Sequence, residues 1–99
     1  MKFKIIRDKY TIARGKPKIL KLICRKCKRF ICYYQKDGSG NLYRLYLDRI
    51  EPNKPTKGIK ENWLVCESCG RWLGVPSVYK KEKRLCIKLF AGAIETDEV

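Results

Sequence analysis

Four cysteines in two pairs of the same spacing are the residues of this chain best suited to chemistry. Cys24 and Cys27 enclose two residues, as do Cys66 and Cys69. Because the chain has no histidine, a metal ion held by these pairs would be bound by sulfur alone. Four thiolates are the ligand set of a closed, structural zinc site, which leaves no open position for a catalytic water. The spacing therefore predicts one structural Zn²⁺, with iron as a substitute that tetrahedral sulfur also accepts.

Two further cysteines stand outside these pairs. Cys32 lies in the apolar run at residues 30–34, which predicts a small buried side chain. Cys86 shares one face of an alternating segment with Arg84 and Lys88, a position that would leave its thiol exposed and reactive. Two isolated thiols do not predict a second metal site.

The sequence offers little for catalysis. It has no histidine to act as a general base near neutral pH. The glycine-containing segment at residues 37–40 lacks the Lys-Ser/Thr pair that follows a phosphate-binding loop. A thiol-redox activity of the Cys-x-x-Cys pairs is the alternative, but it would compete with a metal ion for the same sulfurs. We therefore expect a binding protein rather than an enzyme.

The positive charge of the chain is concentrated in its first third. The net charge is +14, and residues 1–36 contain thirteen Lys and Arg against one acidic residue. Cations beside the first cysteine pair favour the thiolate form, so part of this charge can serve the metal. Aromatic residues within the same segment suit single-stranded nucleic acid, because cations follow the phosphates while rings stack on bases.

A basic, aromatic strip is the candidate nucleic-acid surface, with RNA or another single strand as the favoured partner. Arg44 and Tyr46 share one face of a predicted strand, and Tyr33 or Tyr34 would lie opposite them. The residues predicted to contact nucleic acid are Lys16, Lys18, Lys21, Arg25, Lys26, Lys28, Arg29, Tyr33, Tyr34, Arg44 and Tyr46.

Two other roles fit the same composition. The protein would act as an adaptor if its basic surface or a strand edge bound an acidic protein surface. It would be a subunit of a nucleoprotein machine if it contacted protein and nucleic acid together. No membrane partner or small-molecule substrate is expected, because no segment approaches the ~18 apolar residues of a membrane span. The N-terminus has no apolar stretch typical of a secretion signal, which predicts a reducing, cytoplasmic location where such cysteines bind metal.

The segments that position the cysteines are predicted to be β-strands, because they are rich in β-branched and aromatic residues. Residues 18–24 lead into the first pair and residues 30–35 lead out of it. The turn at residues 37–41 contains two glycines and an asparagine, so residues 30–50 are predicted to form a β-hairpin. The predicted strands are residues 3–6, 10–13, 18–24, 30–35, 42–50, 63–65, 72–78 and 84–90.

The chain is predicted to form a single zinc-stapled β domain over residues 1–94. Residues 51–62 contain two prolines and a glycine and are predicted to be a loop within this domain. Residues 95–99 are mostly acidic and are predicted to be a frayed tail. In residues 84–90, Leu85, Ile87 and Leu89 share the face opposite that of Cys86.

The second cysteine pair carries a resemblance to a known group. Residues 66–71, CESCGR, resemble the knuckle of zinc-ribbon proteins, and the spacing of the two pairs resembles that group as a whole. The position after the second cysteine often needs a positive φ, which Gly70 meets and Lys28 in the first pair does not. The resemblance implies a small antiparallel sheet of hairpins around one four-cysteine zinc site. The same spacing is also similar to that of β-tent proteins such as the yippee group, in which two knuckles join larger sheets.

Overall fold

The structure, a computed structural model, describes residues 5–51 and 64–99. Residues 52–62 of the loop predicted at 51–62 lie outside these residues, as do the predicted strand positions 3, 4 and 63, whereas residue 51 belongs to a strand. Within the described part, the chain forms one short α-helix, a single turn of 3₁₀-helix and seven strands. These elements are α1 (Lys9–Arg14), β1 (Lys18–Cys24), β2 (Phe30–Lys36), β3 (Arg44–Tyr46), the 3₁₀ turn (Leu47–Arg49), β4 (Ile50–Glu51), β5 (Gly74–Tyr79), β6 (Arg84–Leu89) and β7 (Ile94–Glu98).

The strands form two small antiparallel sheets. The first sheet has the order β4-β2-β1-β7 and the second the order β3-β6-β5. The first cysteine pair lies in the turn between β1 and β2, and the second pair lies shortly before β5. The prediction of a mostly β fold, built from small antiparallel sheets around a four-cysteine cluster, is confirmed.

The main hydrophobic core lies between the two sheets. Leu22 from β1 and Ile87 from β6 are fully buried there, as is Ile50 at the start of β4. Side chains that alternate along a strand put every second residue on this inner face, which is why Leu20 and Leu22 both enter the core from β1. Burial of each such side chain stabilises the fold by ~1.5–3 kcal/mol. Cys32 belongs to the same cluster, which confirms the prediction that its side chain is buried.

Residues 10–13 form a helix, so the strand predicted there is wrong. The Asp8 carboxylate accepts hydrogen bonds from the backbone N–H groups of Tyr10 and Thr11, and the Thr11 hydroxyl accepts from the Asp8 N–H. This reciprocal capping box satisfies donors that the first helical turn leaves without partners, and it outweighs the β propensity of the segment. Residues 5 and 6, the described part of the strand predicted at 3–6, are also not in a strand.

The hairpin predicted for residues 30–50 is wrong over most of its second strand. Strand β3 pairs with β6 in the second sheet, and only the short strand β4 returns to pair with β2. The chain therefore crosses from one sheet to the other after the turn at residues 37–41. The crossing lets Leu45 and Leu47 enter the core from the second sheet.

The frayed tail predicted at residues 95–99 is also wrong, because residues 94–98 form strand β7. This strand pairs with β1 over five residues, from Cys24 opposite Ile94 to Leu20 opposite Glu98. The backbone of β1 would otherwise present an open sheet edge, and the ladder with β7 satisfies its N–H and C=O groups. Acidic side chains on β7 lie beside the basic strand β1, as in the Lys18–Glu98 ion pair at 3.9 Å.

Burial along strand β6 does not alternate cleanly, and the prediction that Cys86 is exposed is wrong. Arg84 and Cys86 are buried, whereas Leu85 is 46% exposed. The Arg84 guanidinium lies between the rings of Tyr10 and Tyr46, at 4.0 and 3.9 Å from their centroids. Because aromatic rings cover this face, Cys86 is not the exposed thiol that the pattern of charges predicted.

Candidate metal centre

The four predicted metal ligands come together at one point. The Sγ atoms of Cys24 and Cys69 are 3.7 Å apart, and those of Cys27 and Cys66 are 3.5 Å apart. All four sulfurs lie within 4.8 Å of one another. A tetrahedral ion with Zn–S bonds of about 2.3 Å requires sulfurs about 3.8 Å apart. The cluster is therefore positioned to bind one metal ion.

The two cysteine turns have the same backbone design. In the first, the Lys28 N–H donates to the Cys24 carbonyl at 2.9 Å, and in the second the Gly70 N–H donates to the Cys66 carbonyl at 2.8 Å. A second pair of bonds closes each turn, from the Cys24 N–H to the Arg29 carbonyl and from the Cys66 N–H to the Arg71 carbonyl. We call these turns the first knuckle (residues 24–29) and the second knuckle (residues 66–71).

Both knuckles require a positive φ after their second cysteine. Gly70 has φ 76° and Lys28 has φ 64°. This result confirms the expectation for Gly70, and it shows that Lys28 adopts a left-handed conformation that disfavours residues with a Cβ. A strained residue in the first knuckle is tolerated because the two backbone hydrogen bonds and the metal ligands fix the turn.

Backbone N–H groups of the knuckles favour ionised sulfur. The N–H groups of Cys69 and Ser68 that point at the Cys66 sulfur lower the pKa of this thiol to about 6. Burial opposes ionisation of Cys24, but the N–H groups of Cys27 and Lys26 outweigh it and lower the pKa of Cys24. Such contacts orient metal ligands and make thiolates available at neutral pH.

Four sulfurs at this distance cannot all ionise without a compensating charge. The Arg71 N–H lowers the pKa of Cys69, yet burial and the three neighbouring sulfurs raise it to about 11. The like charges of adjacent thiolates repel each other, which disfavours ionisation of the last thiol. A divalent cation at the centre of the cluster would supply the missing positive charge.

A small apolar cluster surrounds the sulfurs. Cys24 and Cys66 are buried together with Leu73 and Ala93. The Arg25 N–H donates to the Ala93 carbonyl at 3.1 Å, which ties the first knuckle to the segment before β7. The site is therefore shielded on the side that faces the protein, while the outer residues of both knuckles remain exposed.

The first knuckle carries four of the eleven residues predicted to contact nucleic acid. The side chains of Arg25, Lys26, Lys28 and Arg29 are all exposed there. Lys28 and Arg25 are both paired with Glu95 of β7, and the Arg25–Glu95 distance is 3.9 Å. Arg29 lies 3.8 Å from a carboxylate oxygen of Glu67 in the second knuckle.

Lys21 and Tyr33 lie opposite each other on β1 and β2, on the face that points away from the main core. The Lys21 ammonium lies 5.9 Å from the centre of the Phe30 ring, and the Phe30 and Tyr33 rings are 4.9 Å apart. Phe30 is 42% exposed and directly follows the first knuckle. It was not among the predicted contact residues, although its place after a run of cations could have indicated it.

The other predicted contact residues lie elsewhere, so the predicted strip does not form. Lys16 and Lys18 are at the end of β1 far from the first knuckle. Tyr34 is 2% exposed, and its hydroxyl accepts a hydrogen bond from the Tyr46 N–H at 2.9 Å. Arg44 and Tyr46 belong to the second sheet, where Arg44 stacks on Tyr79 at 4.9 Å. Tyr34 is too buried to stack on a base.

Comparisons with known proteins provide no relative. No protein-family model matches the chain, and neither the curated proteins nor the solved structures contain a match. In the described part of the chain, no helix has the length and apolar character needed to cross a membrane. The metal centre and the surface around it are therefore the features from which a function can be inferred.

Proposed function

We propose that the protein is a zinc-stabilised binding module that contacts single-stranded nucleic acid, RNA in particular, through its first knuckle. The observation that carries this proposal is the row of exposed cations on that knuckle beside an exposed aromatic ring. Their arrangement suits a strand whose phosphates meet the cations while a base stacks on the ring. The surface, which we call the basic knuckle face, consists of Lys21, Arg25, Lys26, Lys28, Arg29, Phe30 and Tyr33.

Zinc is the metal we assign to the cluster. Four thiolates in tetrahedral spacing and no histidine are typical of structural zinc. Because the ligand set leaves no open position, the ion holds the knuckles together and takes no part in a reaction. Elemental analysis of protein from metal-limited and iron-rich media would detect one zinc per chain, whereas one iron per chain would contradict the assignment.

Among the zinc-binding folds that the cysteine spacing resembles, the β-tent arrangement is the better description. The first knuckle joins β1 to β2 of a four-stranded sheet, and the second knuckle leads to β5 of a three-stranded sheet. Zinc ribbons are built from small hairpins, and their knuckles do not join sheets of this size. We propose this assignment on architecture alone.

A salt titration tests the nucleic-acid proposal. We expect the protein to bind generic single-stranded RNA, measured by fluorescence anisotropy, with an affinity that falls steeply as salt rises. Lys26 makes no ion pair with any described residue, so its charge is available to a phosphate. Lys26→Gln should therefore weaken binding and reduce the slope of log affinity against log salt by about 0.7 for each phosphate that the variant no longer neutralises. Lys80→Gln, an exposed change in the β5–β6 turn, is the matched control and should leave binding unchanged.

A change at Glu95 tests the same proposal, because it should strengthen RNA binding rather than weaken it. Its carboxylate is paired with Lys28 and Arg25, and those cations lower the pKa of Glu95. A phosphate that binds the first knuckle must compete with this carboxylate for the same cations. Glu95→Gln should therefore strengthen RNA binding, whereas weaker binding by this variant would contradict the assigned face. Absence of binding even at low salt would reject the nucleic-acid proposal and favour an adaptor that binds an acidic protein surface.

A further inference from the structure

We propose that a separate cavity binds the phosphate monoester of a nucleotide, either free or at the end of a strand. The cavity has a volume of about 340 Å³ and lies between the turn at residues 37–41, the end of β2 and the start of β3. Four cations line it, namely Arg14, Lys36, Arg44 and Arg49. A cavity of this size is within the range of small-ligand sites, which are ~300–1,000 Å³.

Lys36 is the main reason to assign an anion to this cavity. Its side chain is buried, with 8% of the residue exposed, and it lines the cavity wall. The ammonium donates to the carbonyl oxygens of Gly38 and Ser39 at 3.0 and 3.1 Å. Within residues 5–51 and 64–99 it has no third acceptor and no carboxylate partner. Buried charges in proteins are normally paired, so this ammonium is a donor held in place for a ligand.

The surroundings of Lys36 increase the excess of positive charge. Lys18 lies directly opposite Lys36 in the register of β1 and β2, an arrangement of like charges that destabilises a sheet. Burial, together with the charges of Lys18 and Arg14, lowers the pKa of Lys36. A bound phosphate would offset this repulsion, because its negative charge would lie among the cations.

The acidic residue of the cavity lining, Asp37, favours the charged form of Lys36 but makes no ion pair with it. The Asp37 carboxylate accepts a hydrogen bond from Arg49 Nε at 3.0 Å and another from the Gln35 amide at 2.8 Å. Asp37 and Arg49 therefore compensate each other's charge. Arg44 stacks on a tyrosine ring and makes no ion pair with any described residue. Arg14 is paired with Glu82 at 2.7 Å, so Lys36 and Arg44 are the lining cations that have no carboxylate partner among the described residues. These two charges make the net charge facing the cavity positive.

An aromatic side chain at the cavity mouth points to a nucleotide rather than to phosphate alone. Tyr43 lines the cavity and is 63% exposed, and its hydroxyl accepts a hydrogen bond from the Asn41 amide at 3.1 Å. A base can stack on this ring while its phosphate reaches the cations, as in sequence-tolerant recognition of nucleotides. The turn has no phosphate-binding loop signature, so side chains rather than a row of backbone N–H groups would make the contacts.

The cavity is distinct from the basic knuckle face. Strand β2 begins beside the first knuckle at Phe30 and ends at Lys36, so the two surfaces lie at opposite ends of this strand. Nucleotide binding in the cavity therefore does not require RNA binding at the first knuckle, and either can fail without the other.

Calorimetric titration of the full, zinc-loaded chain with adenosine 5′-monophosphate (AMP) and with adenosine tests the cavity. AMP should bind at least about tenfold more tightly than adenosine, since charge-assisted hydrogen bonds reach only the phosphate. Lys36→Met should weaken AMP binding by about tenfold or more, and Arg44→Gln is the second variant if Lys36→Met does not fold. Lys80→Met, in the exposed β5–β6 turn and outside both proposed surfaces, is the control that should leave AMP binding unchanged.

Two RNA oligomers identify the source of the phosphate. If the cavity takes a strand end, a 5′-phosphorylated oligomer should displace AMP and its 5′-hydroxyl counterpart should not. If it takes free nucleotides, AMP should bind and neither oligomer should displace it. Equal affinity for AMP and adenosine, or AMP binding unchanged in the folded Lys36 and Arg44 variants, would overturn the proposal.

Discussion

The Arg49 guanidinium is the most completely buried charge of the described residues, with 1% exposure. Its Nη2 donates to Asp8 at 2.7 Å and its Nε donates to Asp37 at 3.0 Å. Desolvation acts against the charged form, but the two carboxylates outweigh it and raise the pKa of Arg49. One side chain thus ties the start of α1 to the turn after β2. Its removal would leave Asp37 as an unpaired buried charge, which typically costs ~3–5 kcal/mol.

The Asp8 carboxylate is expected to make stability depend on pH. The Arg49 hydrogen bond, helped by the N–H groups of Thr11 and Tyr10, lowers its pKa below the ordinary value of 3.8. Because the pKa of Asp8 is lower in the folded state, the ionised carboxylate stabilises the fold above pH 3.8, and this stabilisation is lost as the pH falls below that value. Asp8→Asn, which cannot ionise, should be less stable near neutral pH by about 1–2 kcal/mol.

Urea denaturation of both proteins between neutral and acidic pH measures this effect. The difference in unfolding free energy between wild type and Asp8→Asn should be constant above about pH 5, roughly one pH unit above the ordinary pKa of Asp8, and should shrink as the pH falls further. Acid release of the metal affects both proteins and cancels in the difference. A difference that does not change with pH would show that the Asp8 charge contributes nothing.

The two knuckles have the same backbone hydrogen bonds, but the residue after the second cysteine is lysine in the first knuckle and glycine in the second. Gly70 and Lys28 occupy the same position with nearly the same φ, 76° and 64°. A Cβ built on Gly70 meets no atom within 4 Å. Any cost of a side chain there is therefore conformational and does not arise from a clash.

The equivalence predicts opposite effects for opposite substitutions. Gly70→Ala should lower the free energy of unfolding by about 1–2 kcal/mol, because an L residue in the left-handed region is strained. Lys28→Gly removes the same strain from the first knuckle and should stabilise the protein by up to about 1 kcal/mol. Chemical denaturation of the zinc-loaded proteins measures both values, and Lys28→Ala, which retains a Cβ, is the control. Equal effects of Lys28→Gly and Lys28→Ala would show that the strain is negligible.

Local features were predictable from the sequence, and long-range pairings were not. The spacing of the cysteines and the conformation of Gly70 depend on a few adjacent residues, and the sulfur cluster and the φ of 76° agree with them. The pairing of β3 with β6 depends on residues far apart in the chain, so the strong turn at residues 37–41 wrongly indicated a local hairpin. The burial of Arg84 depends on the rings of Tyr10 and Tyr46, which no alternating pattern within β6 can reveal.

The whole molecule joins two sheets through one core and one metal centre. Each knuckle supplies two sulfurs, and the first knuckle is attached to the first sheet while the second leads to the second sheet. Metal binding in such a site is coupled to folding, because the ligands meet only when the chain is folded. The metal is therefore expected to contribute a large share of the stability of this small protein.

Single cysteine variants test this dependence. Cys69→Ser should lose the metal and the cooperative unfolding transition, as measured by elemental analysis and by circular dichroism on heating. Cys32→Ala removes a buried thiol from the main core and should retain one metal ion per chain, with a loss of only about 1 kcal/mol. Metal loss in Cys32→Ala, or a full metal content in Cys69→Ser, would show that the ligands are assigned incorrectly.

The pairing of β1 with β7 affects how the chain folds during its synthesis on the ribosome. Strand β1 is made early, but its partner along one edge is made only after the second knuckle and the second sheet. A nascent chain released from the exit tunnel up to β2 therefore has an unpaired edge and only half of its sulfur ligands. Such contacts between distant segments slow folding and extend the time during which partial products can associate wrongly. The supply of the metal ion and the speed of translation should accordingly affect the yield of native protein more than they affect that of a helical protein of equal length.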